Sequence, residues 1–269
     1  MTNKKQNIEI TFWDHLEDLR WVFIRSLVFI GMISIIAFLN KHIIFNKIFL
    51  APKEPWFITN RILCKLSKHF NSDTLCLNQT GLDIINIKLS GQFTTHLFSS
   101  FVIGIFVASP FIIFEFWRFV KPALHSNEKK HSRGAVLISS LLFIIGVLFG
   151  YFLIVPLTIN FLGGYQVSEH VTNTISLGSY LSNVVSVSLS LGIVFEIPIL
   201  IYFLTKTGII TPMFMRASRK IILVILLVVS AIITPPDMIS QIMVCIPLLV
   251  LYEISIKISE RVYKKSFVD

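Results

Sequence analysis

The chain has 269 residues, of which 54% are hydrophobic and only 14% are charged, with a formal net charge of +9. A soluble domain carries roughly a quarter charged residues, so this composition excludes an ordinary water-soluble domain. The apolar residues form long blocks instead of alternating with polar residues, which indicates an integral membrane protein.

The N-terminal part, before the first apolar block, has a helical repeat of large apolar residues. Ile8, Phe12, Leu16, Leu19 and Phe23 recur at spacings of three or four, and acidic residues occupy other faces. The pattern predicts a cytoplasmic amphipathic helix over residues 1–21 that continues into the first span. Polar and charged residues precede that span, so no cleavable signal peptide is expected.

Six apolar blocks follow, and we interpret each as a transmembrane helix. The last two are short for a bilayer core of about 30 Å, so they are expected to cross as a hairpin. The fold class is therefore an all-α integral membrane protein with a single polytopic domain, residues 1–269. The predicted spans are 22–39, 96–116, 135–162, 182–205, 221–234 and 238–256; residues 40–95 form a long loop with one short helix around Thr59–His69.

The basic residues are distributed as in a membrane protein of defined topology. They are concentrated at both termini and in the second-to-third and fourth-to-fifth connections, whereas the short third-to-fourth and fifth-to-sixth connections have none. The positive-inside rule therefore places both termini in the cytoplasm and loop 40–95 in the periplasm. Because the charge is explained by topology, nucleic acid is not an expected partner.

Four spans contain a proline: Pro110, Pro156, Pro198 and Pro247. Each removes a backbone N–H and bends its helix unless neighbouring groups satisfy the freed carbonyl. Four bends favour a curved, concave bundle, although packing alone explains any one of them equally well.

The sequence has no motif of a known enzyme class. It contains no His-Glu-x-x-His, no Gly-x-Ser-x-Gly and no Gly-rich phosphate loop, and no Cys or His pair has metal-ligand spacing. We therefore expect neither catalysis nor a cofactor or metal. Cys64 and Cys76 share the outer loop, where a disulfide and two free thiols are equally compatible with the sequence.

Three glutamates interrupt or end apolar blocks. Glu115 and Glu253 lie within about two helical turns of basic residues, so they are expected to pair with them near the interface. Glu196 lies deeper, where a charge costs about 2.5–3.5 kcal/mol, and such residues usually face the bundle interior. Glu196 is therefore a candidate functional residue.

Two further acidic residues lie on the cytoplasmic side. Asp18 follows the apolar repeat of the N-terminal helix, and Glu128 precedes Lys129 and Lys130 in the second-to-third connection. Local charge balance accounts for them about as well as a binding role does. Because guanidinium–carboxylate contacts can be bidentate, two carboxylates could also select arginine over lysine in a cationic peptide.

Four short motifs occur in order along the chain, and the region over which they are distributed extends over nearly its whole length. They are His15-Leu16-Glu17-Asp18-Leu19-Arg20, then Phe116-Trp117-Arg118-Phe119-Val120-Lys121-Pro122-Ala123-Leu124 with Glu128, then Phe195-Glu196-Ile197-Pro198, and finally Thr234-Pro235-Pro236-Asp237 with Ser240-Gln241. Together they resemble the TatC family, the core component of the twin-arginine (Sec-independent) protein translocase of the inner membrane.

The resemblance implies a multi-pass receptor for signal peptides that bear paired arginines. Asp18 and Glu128 would engage the arginines, and Phe119 and Pro122 would shape the loop, with Arg20 belonging to the same N-terminal motif. Position 18 usually carries Glu in the family, so the adjacent Glu17 is expected to share or take over its role.

The resemblance also implies contacts within the membrane. Glu196, beside Pro198, would contact partner subunits or the inserted signal peptide in the concave face. Gln241 and Asp237, near the outer end of the last two spans, would help dock the single-span partners TatA and TatB. The chain would form a homo-oligomer among membrane lipids, and the proton-motive force would supply energy.

Two alternatives remain open on the sequence. In the first, the chain is a proton-coupled secondary transporter that uses Glu196 as its proton carrier, although the internal repeats common in that class are absent from the sequence. In the second, it is a structural scaffold, in which replacing Glu196, Glu128 or Asp18 would leave export intact.

Overall fold

The computed structural model describes residues 12–69, 83–120, 132–165, 168, 170, 173–234 and 238–267, most of which are helical. Two stretches, Ile43–Phe49 and Gly150–Ile154, are π-helical, and Ala51–Lys53 form a 3₁₀ turn. The α-helices are α1 (Phe12–Leu39), α2 (Ile58–His69), α3 (Gly91–Val120), α4 (Ser132–Phe149), α5 (Val155–Gly164), α6 (Leu177–Val194), α7 (Ile197–Lys206), α8 (Pro212–Ala217), α9 (Arg219–Ile233) and α10 (Met238–Phe267).

Five helical stretches are long and apolar enough to cross a membrane. They are Leu16–Leu39, Gly91–Val120, Gly134–Gly164, Leu177–Lys206 and Ser240–Lys265. Each exceeds the roughly 20 residues that a hydrocarbon core requires. The helices therefore supply five candidate spans in the part of the chain that the structure describes.

The block predicted as the fifth of six spans forms the short helix α9. It has 15 residues, which is about 22 Å of helix at 1.5 Å per residue, so it does not reach the length of the other five. It packs against α10 and α6. Its partner α10 extends to Phe267, well past the apolar block that the sequence delimits.

The predicted interfacial helix, residues 1–21, is described from Phe12 onward, and that part is continuous with the first span, whereas residues 1–11 lie outside the described residues. α1 runs without a break over 28 residues, so the acidic residues near its start are carried on the same rigid rod as the apolar span. It packs along α3.

The predicted outer loop contains regular structure that we call the cap segment, residues Ile43–His69. The short helix predicted within it is present as α2. The hydroxyl groups of Tyr151 and Tyr180 donate hydrogen bonds to the carbonyls of Ile48 and Phe49, at 2.5 and 2.9 Å. These bonds tie the cap segment to the third and fourth apolar stretches.

The all-α expectation needs one small correction. Ile84–Ile85 (β1) pairs in parallel with Ile175–Ser176 (β2). The pairing joins the segment before α3 to the segment before α6, so backbone groups in two connections satisfy each other. Helical periodicity in the sequence carries no information on such a pairing.

Pro156 shows how a proline is accommodated inside an apolar stretch. It lies in the first turn of α5, directly after the π-helical turn Gly150–Ile154, where it has no backbone N–H to donate. The hydroxyl of Thr59 on α2 donates to the carbonyl of Phe152 in that π-helical turn. The cap segment thus supplies a hydrogen bond to the irregular backbone that precedes the proline.

The interface between α4 and α6 depends on glycines at close spacing. A Cβ atom on Gly146 would lie 2.6 Å from the carbonyl oxygen of Leu191, and one on Gly150 would lie 3.0 Å from the Cα of Ser188. Small residues four apart allow two helix backbones to approach closely in a membrane. This contact aligns Ser139 of α4 with the end of α6.

Candidate functional site

The acidic residues at the start of α1 lie at the end of the bundle where α3 ends. We call this the basic end, because it carries Arg25, Arg118, Arg216 and Arg219. Glu17, Asp18 and Arg20 are exposed on α1, and Phe119 is half-buried in the last turn of α3. Pro122 and Glu128 lie outside the described residues.

Most acidic side chains described at the basic end are already paired. Glu115 lies 3.2 Å from Arg25 and 3.6 Å from Arg118, and Arg219 donates to Glu253 at 2.8 Å. The expectation that these two glutamates pair with basic residues is confirmed. Arg216 similarly donates to Glu260 at 2.9 Å.

Glu17 and Asp18 differ from these residues. Within the described part of the chain, neither carboxylate forms an ion pair. Exposed, unpaired carboxylates at an end rich in arginine retain their full capacity to accept hydrogen bonds from an incoming cation.

Side-chain contacts fix the register of α1 against α3. Toward the end that carries the cap segment, Phe38 stacks on His96 with ring centroids 4.1 Å apart. Toward the basic end, the rings of Phe29 and Phe111 are 4.5 Å apart, and the Arg25–Glu115 pair follows. The two helices are therefore antiparallel.

This register sets the level of Asp18. It lies seven residues before Arg25, about 10 Å along α1, and α3 continues five residues past Glu115, or about 7 Å. Asp18 therefore lies near the level at which α3 ends at Val120 and the 121–131 connection begins.

The end of α3 is held from the other side by an aromatic contact. Trp117 is buried, and its ring lies 4.4 Å from that of Phe203 on α7. With Glu115 held to α1 and Trp117 held to α7, the point from which the connection emerges is fixed on both sides.

Glu196 lies in the two-residue break between α6 and α7. Its backbone N–H donates to Ile193 at 3.1 Å, and its carbonyl accepts from Leu200 at 3.1 Å, so the break remains hydrogen-bonded. The hydroxyl of Ser139 on α4 donates to Oε2. Pro198 is buried in the first turn of α7 and supplies the helical φ with no N–H to satisfy.

The second oxygen of that carboxylate has no such contact. Oε1 of Glu196 is buried and has no hydrogen-bond partner among the described residues. Buried polar atoms are nearly always paired, so an unpaired acceptor needs an explanation. Here the group can accept a hydrogen bond from a polar atom of another helix.

The sequence did not indicate Ser139 or Arg25 as site residues. Ser139 is one of many serines in apolar blocks, and Arg25 was read as a topology signal, so nothing local distinguishes either residue. Only the position of the opposing helix shows what each one contacts.

The sequence also predicts contacts at Gln241 and Asp237 and a possible disulfide between Cys64 and Cys76. Gln241 on α10 donates from Nε2 to the carbonyl of Leu227 on α9 at 3.0 Å, and Asp237 lies outside the described residues. Cys64 on α2 is disulfide-bonded and Cys245 is a buried free thiol, whereas Cys76 lies outside the described residues. No group of three potential metal ligands occurs in the described ranges.

The five long apolar helices define a multi-pass helical membrane protein. Residues 14–247 match the model of the Sec-independent protein translocase protein (TatC) family. The chain therefore belongs to the TatC family, whose members are translocase components and not a family of catalytic enzymes.

Relatives match over nearly the whole chain. The TatC protein of Blattabacterium sp. subsp. Periplaneta americana is 40% identical, with 97% of this chain and 99% of the relative covered. TatCy of Bacillus subtilis is 30% identical, covering 99% of this chain and 94% of the relative. A crystal structure of the twin arginine translocase receptor TatC superimposes with a TM-score of 0.68 at 33% identity, covering 92% of this chain and 99% of that one.

Proposed function

We propose that this chain recognises paired-arginine signal peptides at the cytoplasmic face of the inner membrane and organises the translocation of folded proteins with TatA- and TatB-type partners. Membership of the TatC family supports this over the transporter alternative. The observation that carries it is that Asp18 and Glu17 are exposed, form no ion pair with any described residue, and lie near the level at which α3 ends.

The chemistry of this site favours arginine. Asp18 and Glu128 each accept two parallel N–H bonds from a guanidinium, whereas a lysine ammonium is a point charge without a fixed fork. Glu17, one residue away, supplies a second carboxylate on α1. Phe119 and Pro122 shape the connection, and the guanidinium of Arg20 donates hydrogen bonds to backbone carbonyls of the peptide.

Partner subunits dock at polar groups inside the membrane. Oε1 of Glu196, which has no partner among the described residues, accepts a hydrogen bond from a polar side chain of TatA, TatB or the inserted signal peptide, in a concave face bent at Pro198. Gln241 and Asp237 contribute near the turn between α9 and α10. These two helices cross together as the fifth and sixth spans, with the bilayer thinned around α9.

The test uses the full chain in native membranes. A signal peptide with a photocrosslinker beside its arginine pair is expected to label the start of α1 and the connection. Replacing both arginines by lysine is expected to reduce labelling by about tenfold or more, the value of one lost charged hydrogen bond.

Substitutions identify the carboxylates that matter. Asp18→Asn and Glu128→Gln are each expected to reduce labelling by the arginine peptide, while Glu260→Gln at the same end leaves it unchanged. Labelling of the Glu17→Gln variant shows whether Glu17 and Asp18 both contribute to binding of the arginine peptide. Equal labelling by arginine and lysine peptides would contradict the proposed function.

A further inference from the structure

One ion pair near the proposed site is unlike the others at the basic end. The side chain of Glu115 is 4% exposed, and its partner Arg25 is 44% exposed. The Arg219–Glu253 pair, by comparison, has both side chains about half exposed. Exposed pairs contribute little, whereas a buried carboxylate depends on the cations that lie against it. Arg25 lies 3.2 Å from Glu115 and Arg118 lies 3.6 Å from it, so losing Arg25 removes the shorter of the two contacts that compensate this buried charge.

This pair joins the two elements that carry the arginine-binding carboxylates. Arg25 is on α1, with Asp18, and Glu115 is on α3, which leads into the connection with Glu128. Asp18 and Arg25 are seven residues apart, so they lie on the same side of α1 to within about 20°. A helix is stiff over two turns, so the position of Arg25 determines that of Asp18.

Glu115 itself is not placed to bind a peptide. Its carboxylate is almost fully buried, and both oxygens face arginines of the chain, Oε2 toward Arg25 and Oε1 toward Arg118. A peptide arginine would have to displace these groups before reaching it. The role that fits the contacts is to hold α1 against α3.

We propose that the Arg25–Glu115 pair positions Asp18 relative to the end of α3 at Val120 and thereby sets the preference of the signal-peptide site for arginine over lysine. This inference rests on the proposed function and concerns positioning residues. Two bidentate guanidinium contacts, one to each carboxylate, require the carboxylates to keep their spacing and orientation, whereas two flexible lysine ammonium groups do not. Loss of the pair therefore lowers arginine binding more than lysine binding.

The test compares labelling by arginine-pair and lysine-pair signal peptides in native membranes, at equal amounts of the full chain. Arg25→Gln and Glu115→Gln are each expected to lower the arginine-to-lysine ratio about fivefold or more, the lower end of common coupling strengths. Arg25→Lys keeps the charge and should retain most of the ratio. Glu253→Gln removes a pair of the same type elsewhere at the basic end and should leave it unchanged.

A double variant separates positioning from general damage. Arg25→Gln/Glu115→Gln leaves no buried charge without a partner, since Arg118 is exposed, so its ratio should be no lower than that of either single variant. Additive losses, or singles that reduce both peptides in the same proportion, would overturn the inference. If Glu115→Gln does not accumulate, the half-exposed Arg25 carries the test, since Arg25→Gln must lower the ratio and Arg25→Lys must not.

The outcome for Asp18→Asn distinguishes this inference from the function on which it rests. If Asp18→Asn lowers the ratio but Arg25→Gln and Glu115→Gln do not, the positioning role is wrong and the proposed function stands. If none of the three lowers it, and Glu17→Gln and Glu128→Gln do not lower it either, the proposed function itself fails.

Discussion

Glu196 illustrates how a polar residue is retained in an apolar segment. It lies where α6 ends and α7 begins, about 15 Å of helix from the end of α7 at Lys206. Ser139 satisfies one oxygen, and the other is unpaired among the described residues. The arrangement is half-satisfied, which is costly for a lone chain and suits a residue that completes its contacts in an assembly.

Removing the Ser139 hydroxyl should therefore destabilise the isolated chain. Ser139→Ala leaves the Glu196 carboxylate without its hydrogen bond, and we expect the free energy of unfolding to fall by about 1–3 kcal/mol. Thermal unfolding in one detergent measures the change. Ser140→Ala, the half-buried neighbour, is the matched control and should have the midpoint of the unsubstituted chain; equal midpoints for both variants would count against the contact.

Packing between α4 and α6 connects the glycines to the Glu196 contact. Gly146 and Gly150 lie against Leu191 and Ser188, and Gly192 of α6 meets Val147 and Phe143 in return. Small residues on both helices allow the two backbones to approach closely. In a membrane the hydrophobic effect does not drive helices together, so van der Waals contacts between them supply the stabilisation. Ser139 reaches Glu196 only because of this close approach.

Two glycines of α4 are predicted to respond in opposite ways to alanine. At Gly146 the added Cβ meets backbone at 2.6 Å, so Gly146→Ala should cost about 1–3 kcal/mol by overpacking. At Gly134 nothing lies within 4 Å, so Gly134→Ala should be neutral or stabilise by up to about 1 kcal/mol through helix propensity. Thermal unfolding of the two variants distinguishes them, and the same sign for both would refute the packing argument.

The alternation of the apolar helices defines the two ends of the whole molecule. The starts of α1, α4 and α9 and the ends of α3, α7 and α10 share the basic end, while the cap segment lies at the other. The excess of Lys and Arg at the basic end predicts that this end is cytoplasmic.

Cysteine labelling tests that orientation. Gly178→Cys adds an exposed thiol at the start of α6, where nothing obstructs a Cβ, and Lys264→Cys adds one near the end of α10. A membrane-impermeant maleimide is expected to label the first in intact spheroplasts and the second only after permeabilisation. The native Cys245 is buried, so background labelling should be low. Labelling in the reverse order would show the opposite topology.

Local sequence patterns were sufficient for the long helices, the short helix in the cap segment and the family. An apolar block of spanning length can satisfy its backbone in a bilayer only as a helix or in a closed barrel, so composition along the chain decides the element. The motifs around Asp18 and Glu196 are similarly local, which is why a single sequence identifies them.

Contacts between distant parts of the chain were decided only by the tertiary structure. The Arg25–Glu115 pair joins residues 90 apart, Ser139–Glu196 joins residues 57 apart, and β1 pairs with β2 across four helical stretches. The shortness of α9 also matters only beside α10 and α6. Apolar periodicity indicates that one face of a helix is buried, but it does not indicate which other helix covers that face. The contacts of Arg25 and Glu196 therefore depend on how the helices pack.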